Sequence, residues 1–322
     1  MFNVTNKKKM KQLTNTIMMI EPVAFRYNEQ TAENNYYQKI LDNLTPKNIQ
    51  ERALLEFNNF VFLLRKIGVN VIVIKDTLYP ETPDSIFPNN WISFHENGVV
   101  ALYPMYAENR REERREDILD ILVDDYDFNI KYIKDFTSFE IKKKFLEGTG
   151  SMVLDRTNKF CYAAISIRTD EQAVLQFCDE FDYTPICFTA NQNVNGKRLQ
   201  IYHTNVMLCI ADEYAVVCLE SIDNMDERKW LRSSLENSGK EIIEITEDQK
   251  FSFAGNMLQI MGDQKYLVMS NAAEDSLTLI QRNIILKYNP IVSSSLEVIE
   301  SCGGGSARCM MAEIFLPNKK QC

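Results

Sequence analysis

Short apolar runs separated by polar, turn-forming residues recur along most of the chain. Residues 91–94 and 99–102 flank His95-Glu96-Asn97-Gly98, and residues 152–154 and 160–165 flank Asp155-Arg156-Thr157-Asn158. Residues 206–210 and 214–219 flank Ala211-Asp212-Glu213, and residues 257–261 and 266–269 flank Gly262-Asp263-Gln264-Lys265. Each pattern of apolar run, polar turn and apolar run predicts a β-hairpin. Every hairpin leads into a stretch with helical spacing, over 110–123, 170–181, 226–237 and 274–287. In most cases another strand-like run follows, such as 184–189 or 241–245. The pattern predicts repeated strand–strand–helix–strand units, roughly fifty to sixty residues apart.

The two ends supply one more unit in split form. Residues 17–20 are strand-like, 51–67 have helical periodicity ending at Gly68, and 69–74 form an apolar, β-branched strand. This unit lacks one strand, which residues 310–316 can provide. The C-terminal run then pairs with the N-terminal unit and closes a ring, removing exposed sheet edges. The alternative is an ordinary α/β sandwich of irregular strand order.

One position is shared by all the units. Asn90, Ser151, Asn205, Asn256 and Cys309 each precede the first strand of a unit. In a ring these positions converge at one mouth, where side chains from separate units surround one small ligand. Cys309 follows Gly303-Gly304-Gly305-Ser306-Ala307-Arg308, a run that permits tight turns and close approach. An accessible thiolate is a strong nucleophile. The chain has only two histidines as possible partners: His203, immediately before a hairpin, and His95, in a hairpin turn where exposure to solvent is expected. Glu147 precedes another hairpin. A cysteine, a histidine and a carboxylate at equivalent places make a nucleophile, a proton shuttle and an orienting group. Cys302 is a rival nucleophile, upstream of the glycines. Arg168, at a strand-to-helix junction, is either a surface arginine or a clamp for a substrate carboxylate. The mixed-charge run 110–117 is expected as an exposed helix face with i,i+4 pairs. The glycine run is not a phosphate-binding loop, because no Lys-Ser or Lys-Thr follows it.

The chain has 322 residues, 45% of them apolar, which suits one large domain or two ordinary ones with a full core. A net charge of −9 argues against non-specific binding to nucleic acid or anionic membranes. Lys7-Lys8-Lys9 with Lys11 is the main basic run and is expected as a solvated tail. Met18-Met19-Ile20 is stopped by Glu21, too soon for a signal or a membrane span. A cytoplasmic location with reduced thiols is expected. The eight cysteines show no close pairs of the zinc-binding kind, so no metal is expected. Cys161, Cys187, Cys209 and Cys218 sit inside apolar runs and are expected in the core, and terminal Cys322 is expected to be mobile.

Together these segments resemble the guanidino-group-modifying enzymes: arginine deiminases, agmatine deiminases, dimethylargininases and amidinotransferases. Arg308-Cys309-Met310 after the glycines resembles their nucleophile motif, Glu147-Gly148 their Glu-Gly-Gly motif, and His203-Thr204-Asn205 their His-x-Asp. Residues 165–169 resemble the deiminase segment whose arginine holds the substrate α-carboxylate. The resemblance runs from about residue 17 to 317 and is nearest to the citrulline-utilisation hydrolases. It implies an α/β pentein fold, a five-bladed propeller of ββαβ modules with pseudo-fivefold symmetry. It also implies one catalytic domain over 17–317, between a basic tail at 1–16 and a short tail at 318–322. Cys309 is then the nucleophile, His203 the general acid/base and Glu147 its orienting carboxylate, with Asn90, Asn205, Arg168, Asp84 and Ser151 binding substrate. The implied reaction is hydrolysis of a C–N bond in a small arginine- or citrulline-like compound through a covalent cysteine adduct, without cofactor. The partner is that small molecule, not nucleic acid or membrane, and a homodimer is compatible. An amidinotransferase is the near alternative, and a noncatalytic pentein binding protein the alternative of another class. Three departures matter: Phe87-Pro88-Asn89-Asn90 and Asn205 stand where deiminases carry aspartates, and Thr149-Gly150-Ser151 follows Glu147 where a second glycine and an aspartate are common in the family.

Overall fold

The computed structural model describes residues 10–319; the lysines at 7–9 and Cys322 lie outside the described residues. Strand β1 (Thr16–Glu21) opens the chain, followed by α1 (Glu29–Ala32), α2 (Pro46–Lys66) and β2 (Asn70–Lys75). Then come β3 (Ile92–Phe94), β4 (Val99–Leu102), α3 (Glu108–Arg111), α4 (Asp117–Asp124) and β5 (Tyr132–Asp135). A third stretch holds α5 (Gly148–Ser151), β6 (Met152–Asp155), β7 (Phe160–Ala164), α6 (Glu171–Phe181) and β8 (Thr184–Phe188), with an added hairpin β9 (Asn191–Val194) and β10 (Lys197–Gln200). Next are β11 (Leu208–Ile210), β12 (Tyr214–Val217), α7 (Met225–Asn237), β13 (Glu241–Glu244) and α8 (Glu247–Phe251). The last are β14 (Leu258–Met261), β15 (Lys265–Ser270), α9 (Asn271–Ser276), α10 (Leu279–Leu286), β16 (Ile291–Ser294), α11 (Glu297–Gly303) and β17 (Ala312–Glu313).

The strands form small sheets of one design: β3-β4-β5, β6-β7-β8, β11-β12-β13, β14-β15-β16 and β17-β1-β2. In each the first pair is antiparallel and the second parallel. The helix between the parallel strands makes the crossover that parallel pairing requires. In the split sheet β17 is the missing first strand, pairing Ile17 with Glu313 and Met18 with Ala312. Only Ala312–Glu313 of the apolar run 310–316 is ladder; the rest packs as irregular chain in the core. First strands also touch across sheets, β17 on β3, β6 on β11 and β11 on β14. The turns that precede them are thereby gathered together.

Local chemistry explains where the helices begin and end. Thr45 caps α2 by accepting from Asn48 N, and Pro46 fits the first turn, where no amide is needed. Ile49, Ala53, Phe57, Phe60, Val61 and Leu64 bury one stripe, and the helix stops before Gly68, at φ +86°. The helix expected over 274–287 is two, because Thr278 starts a new capping box with Gln281. The helix expected over 110–123 is also broken. Arg114 reaches sideways to Glu140, and Arg115 reaches Asp117. The β9–β10 hairpin has too few apolar residues to show alternation, yet Asn195-Gly196, both at positive φ, is its turn signal.

His95 corrects an expectation. It is buried rather than exposed, bonded through Nε2 to Ser93 Oγ at 2.8 Å and stacked on Phe181 at 4.0 Å. Gln12 and Leu13, in the segment read as a tail, are buried, and Gln12 donates to Leu154 O and Ile210 O. Cys161, Cys209 and Cys218 are buried and Cys187 half-buried, all as free thiols. No described helix is long and apolar enough to cross a membrane.

Candidate active site

Each first strand is preceded by a tight turn, and the turns pack on one another. Cys309 sits in the turn before β17, its N–H donating to Ser306 O at 3.0 Å. Two amides from other units converge on its sulfur: Asn205 Nδ2 at 3.4 Å and Asn256 Nδ2 at 3.2 Å. Asn256 also donates to Asn205 O and accepts from Arg308 N, which ties three units together at the thiol. Cys309 is 3% exposed. Cys302, on α11, belongs to a hydrophobic core cluster, and burial raises its thiol to about 11.

Glu147, at the start of α5, is fully buried. Its Oε2 lies 2.7 Å from His203 Nε2 and its Oε1 accepts from Tyr106 N at 2.9 Å. Ser151 Oγ locks this turn, donating to Arg168 O and accepting from Glu147 N. Gly150 permits the approach of His203, since a Cβ there would lie 2.4 Å from Asn90 Nδ2 and 2.9 Å from His203 Nδ1. Burial would raise the Glu147 carboxyl, but Arg168, His203 and Arg110 together outweigh it and hold it well below the usual range. An ionised carboxylate only accepts, so Nε2 of a neutral His203 carries the proton and Nδ1 keeps its lone pair. Burial lowers His203 to about 4; Glu147 opposes this, while Arg168 and Arg110 add to it.

That shift has a measurable consequence. Between about pH 6.5 and 4 the unfolded chain binds a proton at this imidazole that the folded chain refuses. His203 therefore removes stability as pH falls through that window, on the order of 2–3 kcal/mol. Glu113 and Glu300, both raised to about 7 by burial, act in the opposite direction, so the informative quantity is a difference. The stability of wild type minus that of His203→Gln, from urea unfolding at pH 7, 6 and 5, should fall with pH. Parallel curves for the two proteins would refute the buried neutral imidazole.

A narrow pocket beside the thiol is lined by Cys309, His203, Asn90, Asp84, Arg110 and Arg168, with Phe87, Tyr202 and Gly303 to Gly305 forming walls. Asn205 and Ser151 are not among its lining residues; Asn205 lies against the sulfur, with its Oδ1 buried and unpartnered. Asp84 Oδ2 accepts from Asn28 and Thr31, while its Oδ1 has no partner. Arg110 overturns the expectation of an exposed helix face. It is buried, held by Glu113 through two bonds of 2.8 and 2.9 Å, and donates to Asn90 Oδ1 at 2.8 Å. The signal for it was weak: a Glu three residues on, inside a run of charges. Arg168 is buried as well, 3.5 Å from Glu147 and over the Tyr202 ring at 5.0 Å.

Sequence reading also missed the cover of the pocket. Thr31 O and Asn34 Oδ1 accept from Arg168 Nη2 and Nε at 2.7 and 2.6 Å. Asn35 donates to Gly303 O and Gly304 O, and Gln38 to Cys302 O. Gly304, at φ +64°, lies so close to Asn35 that a Cβ would come within 2.5 Å of Nδ2. No metal-binding group of His, Cys, Asp or Glu occurs among the described residues.

The small sheets of one design and the sequence profile place the chain among the guanidino-modifying enzymes of the pentein superfamily. The chain belongs to the eukaryotic N,N-dimethylarginine dimethylhydrolase family, whose sequence profile matches residues 21–316. Among solved structures it is similar to ArgZ, an arginine dihydrolase from the ornithine–ammonia cycle in cyanobacteria. The two are 15% identical with a TM-score of 0.72, over 94% of this chain and 41% of that one. The N-terminal domain of ArgZ, covalently bound to a reaction intermediate, matches at 15% identity and TM-score 0.68 over 94% of this chain and 99% of the domain. A dimethylarginine dimethylaminohydrolase in an adduct with S-methyl-L-thiocitrulline matches at 13% and 0.64, over 94% and 100%. At these identities the likeness is one of fold, and the chain spans about two fifths of full-length ArgZ. Among curated proteins none matches significantly.

Proposed function

We propose that the protein is a cysteine-dependent hydrolase of a ureido or guanidino amino acid, built as one five-bladed ring over residues 17–317. Cys309 is its nucleophile, His203 its acid/base and Glu147 the group that orients the imidazole. Arg168 and Arg110, buried on one side of the pocket, suit a substrate α-carboxylate, and the spare Oδ1 of Asp84 suits an α-ammonium. The names of ArgZ and of the dimethylarginine dimethylaminohydrolase point to the same frame, an amino acid with a guanidino tail.

The observation that carries the choice of tail is the pair of amides on the sulfur. Asn205 and Asn256 surround Cys309 where a guanidinium would call for carboxylates, because an unpaired buried cation is very costly. An amide both donates and accepts, so amides around the thiol suit a neutral ureido group better than a cation. For citrulline, the Cys309 proton passes to His203 as sulfur bonds the ureido carbon. The C–N bond to the chain then breaks, and the imidazolium gives its proton to the departing amine of ornithine. Water, deprotonated by His203, attacks the S-carbamoyl adduct. The C–S bond breaks, the sulfur regains the proton, and carbamic acid leaves to become ammonia and carbon dioxide.

The test is incubation with citrulline, arginine, methylarginines and agmatine at equal concentration, with products read by mass spectrometry. Citrulline should be consumed preferentially and give ornithine. Agmatine, which lacks the carboxylate for Arg168 and Arg110, should react at least about tenfold less efficiently. Exclusive consumption of arginine with accumulation of citrulline would sink the ureido assignment.

A further inference from the structure

The chain holds a second enclosed polar space, separate from the catalytic pocket. It lies among the first strands and is lined by Gln12, Thr149, Arg156, Gln259, Arg308 and Glu313 together with apolar residues. It has room for roughly one or two water-sized molecules.

Its charges do not balance. Arg308 Nη2 donates to Glu313 Oε2 at 2.9 Å and its Nη1 to Met311 O at 2.8 Å, so this pair is satisfied. Arg156 is 2% exposed, yet its Nη2 comes no nearer than 3.9 Å to that same Glu313 oxygen. Its Nη1 is buried with no hydrogen-bond partner among the described residues. The guanidinium lies over the Phe315 ring at 4.0 Å, which attracts a cation but supplies no acceptor. The neighbouring Asp155 does not help, because Lys240 is 3.4 Å from it and Asn158 also donates to it. Two guanidiniums thus share one carboxylate. The Tyr183 hydroxyl lies against Arg156, which opposes the rise that burial gives it, but this oxygen is neutral and supplies no counter-charge. A buried cation whose one carboxylate is shared and 3.9 Å away is poorly neutralised, so the site has room for a further acceptor carrying negative charge.

We propose that this cavity binds one small monovalent inorganic anion, of the chloride or bicarbonate class, on Arg156. The anion supplies the missing charge and acceptor. It also braces the turn after β6, where Arg156 lies, against Arg308 of the nucleophile turn and Glu313 of β17. The site is independent of the catalytic reading and stands or falls apart from it.

The experiment uses the full chain in gluconate buffer at constant ionic strength. Chloride, bromide or bicarbonate is exchanged in while the unfolding temperature is followed. A saturable rise of about 2 °C or more is expected at millimolar anion, absent for Arg156→Gln. Crystals grown with bromide should show an anomalous peak within hydrogen-bonding distance of the Arg156 guanidinium in the wild type. That result stands even if the variant fails to fold. Larger stabilisation by bicarbonate than by chloride would identify the oxyanion as the ligand, and the reverse a halide. Water alone in the cavity, with bromide peaks only at the surface and no saturable shift, would overturn the proposal.

Discussion

Cys309→Ala is expected to abolish turnover, by about 10⁴-fold or more, together with all covalent labelling by substrate analogues. The size of the effect follows from chemistry, since alanine leaves no atom to bond the substrate carbon. The fold should survive. The residue is small, and the loss is confined to a sulfur that accepts from two amides. Leaving those donors unpaired costs about 1–3 kcal/mol, visible as a lower midpoint in urea but not as loss of the transition. Cys302→Ala is the control. Its thiol is packed in the core, so that variant should keep its activity and lose only packing energy. Substantial residual turnover in Cys309→Ala would remove the residue from the mechanism and return attention to Cys302.

Glu147→Gln should lower kcat by about 10³-fold with a smaller change in KM. The substitution keeps the shape of the side chain but removes the charge that His203, Arg168 and Arg110 face at 2.7, 3.5 and 4.0 Å. An amide can also present N–H to Nε2, which reverses the tautomer and turns the basic nitrogen away from its task. The imidazolium formed on attack loses its counter-charge, so the effect falls on the transition state. A loss below tenfold would mean that Glu147 only fills its turn.

The sequence showed the repeat clearly because the first two strands of the sheets are mostly buried apolar runs punctuated by polar turns. It also placed Cys309, His203 and Glu147 at equivalent positions, and the turns that hold them do pack on one another. What it concealed was written in contacts rather than in pattern. Arg110 looks like any other member of a charged run, and only the inward turn of α3 puts it beside Asn90. The β9–β10 hairpin and the segment over the pocket are polar, so no periodicity marks them. His95 reads as a turn residue until the Phe181 ring is found beneath it. Asn256 was visible by position, but its bond to the thiol depends on the meeting of distant turns.

The cover over the pocket changes what substrate binding has to mean here. Arg168 is not waiting with empty hands: a carbonyl from Thr31 and an amide oxygen from Asn34 already occupy two of its donors. A substrate carboxylate that pairs with the Nε–Nη2 edge of this arginine displaces those acceptors, so association at that edge is an exchange of partners and not a simple addition. Affinity then reflects only the difference between a charged and a neutral acceptor, however strong the final pairing is. On the proposed reading, a substrate that displaces these contacts has to loosen the bonds that residues 31 to 38 make to the arginine and the glycine carbonyls. Tight recognition and modest affinity are thereby compatible.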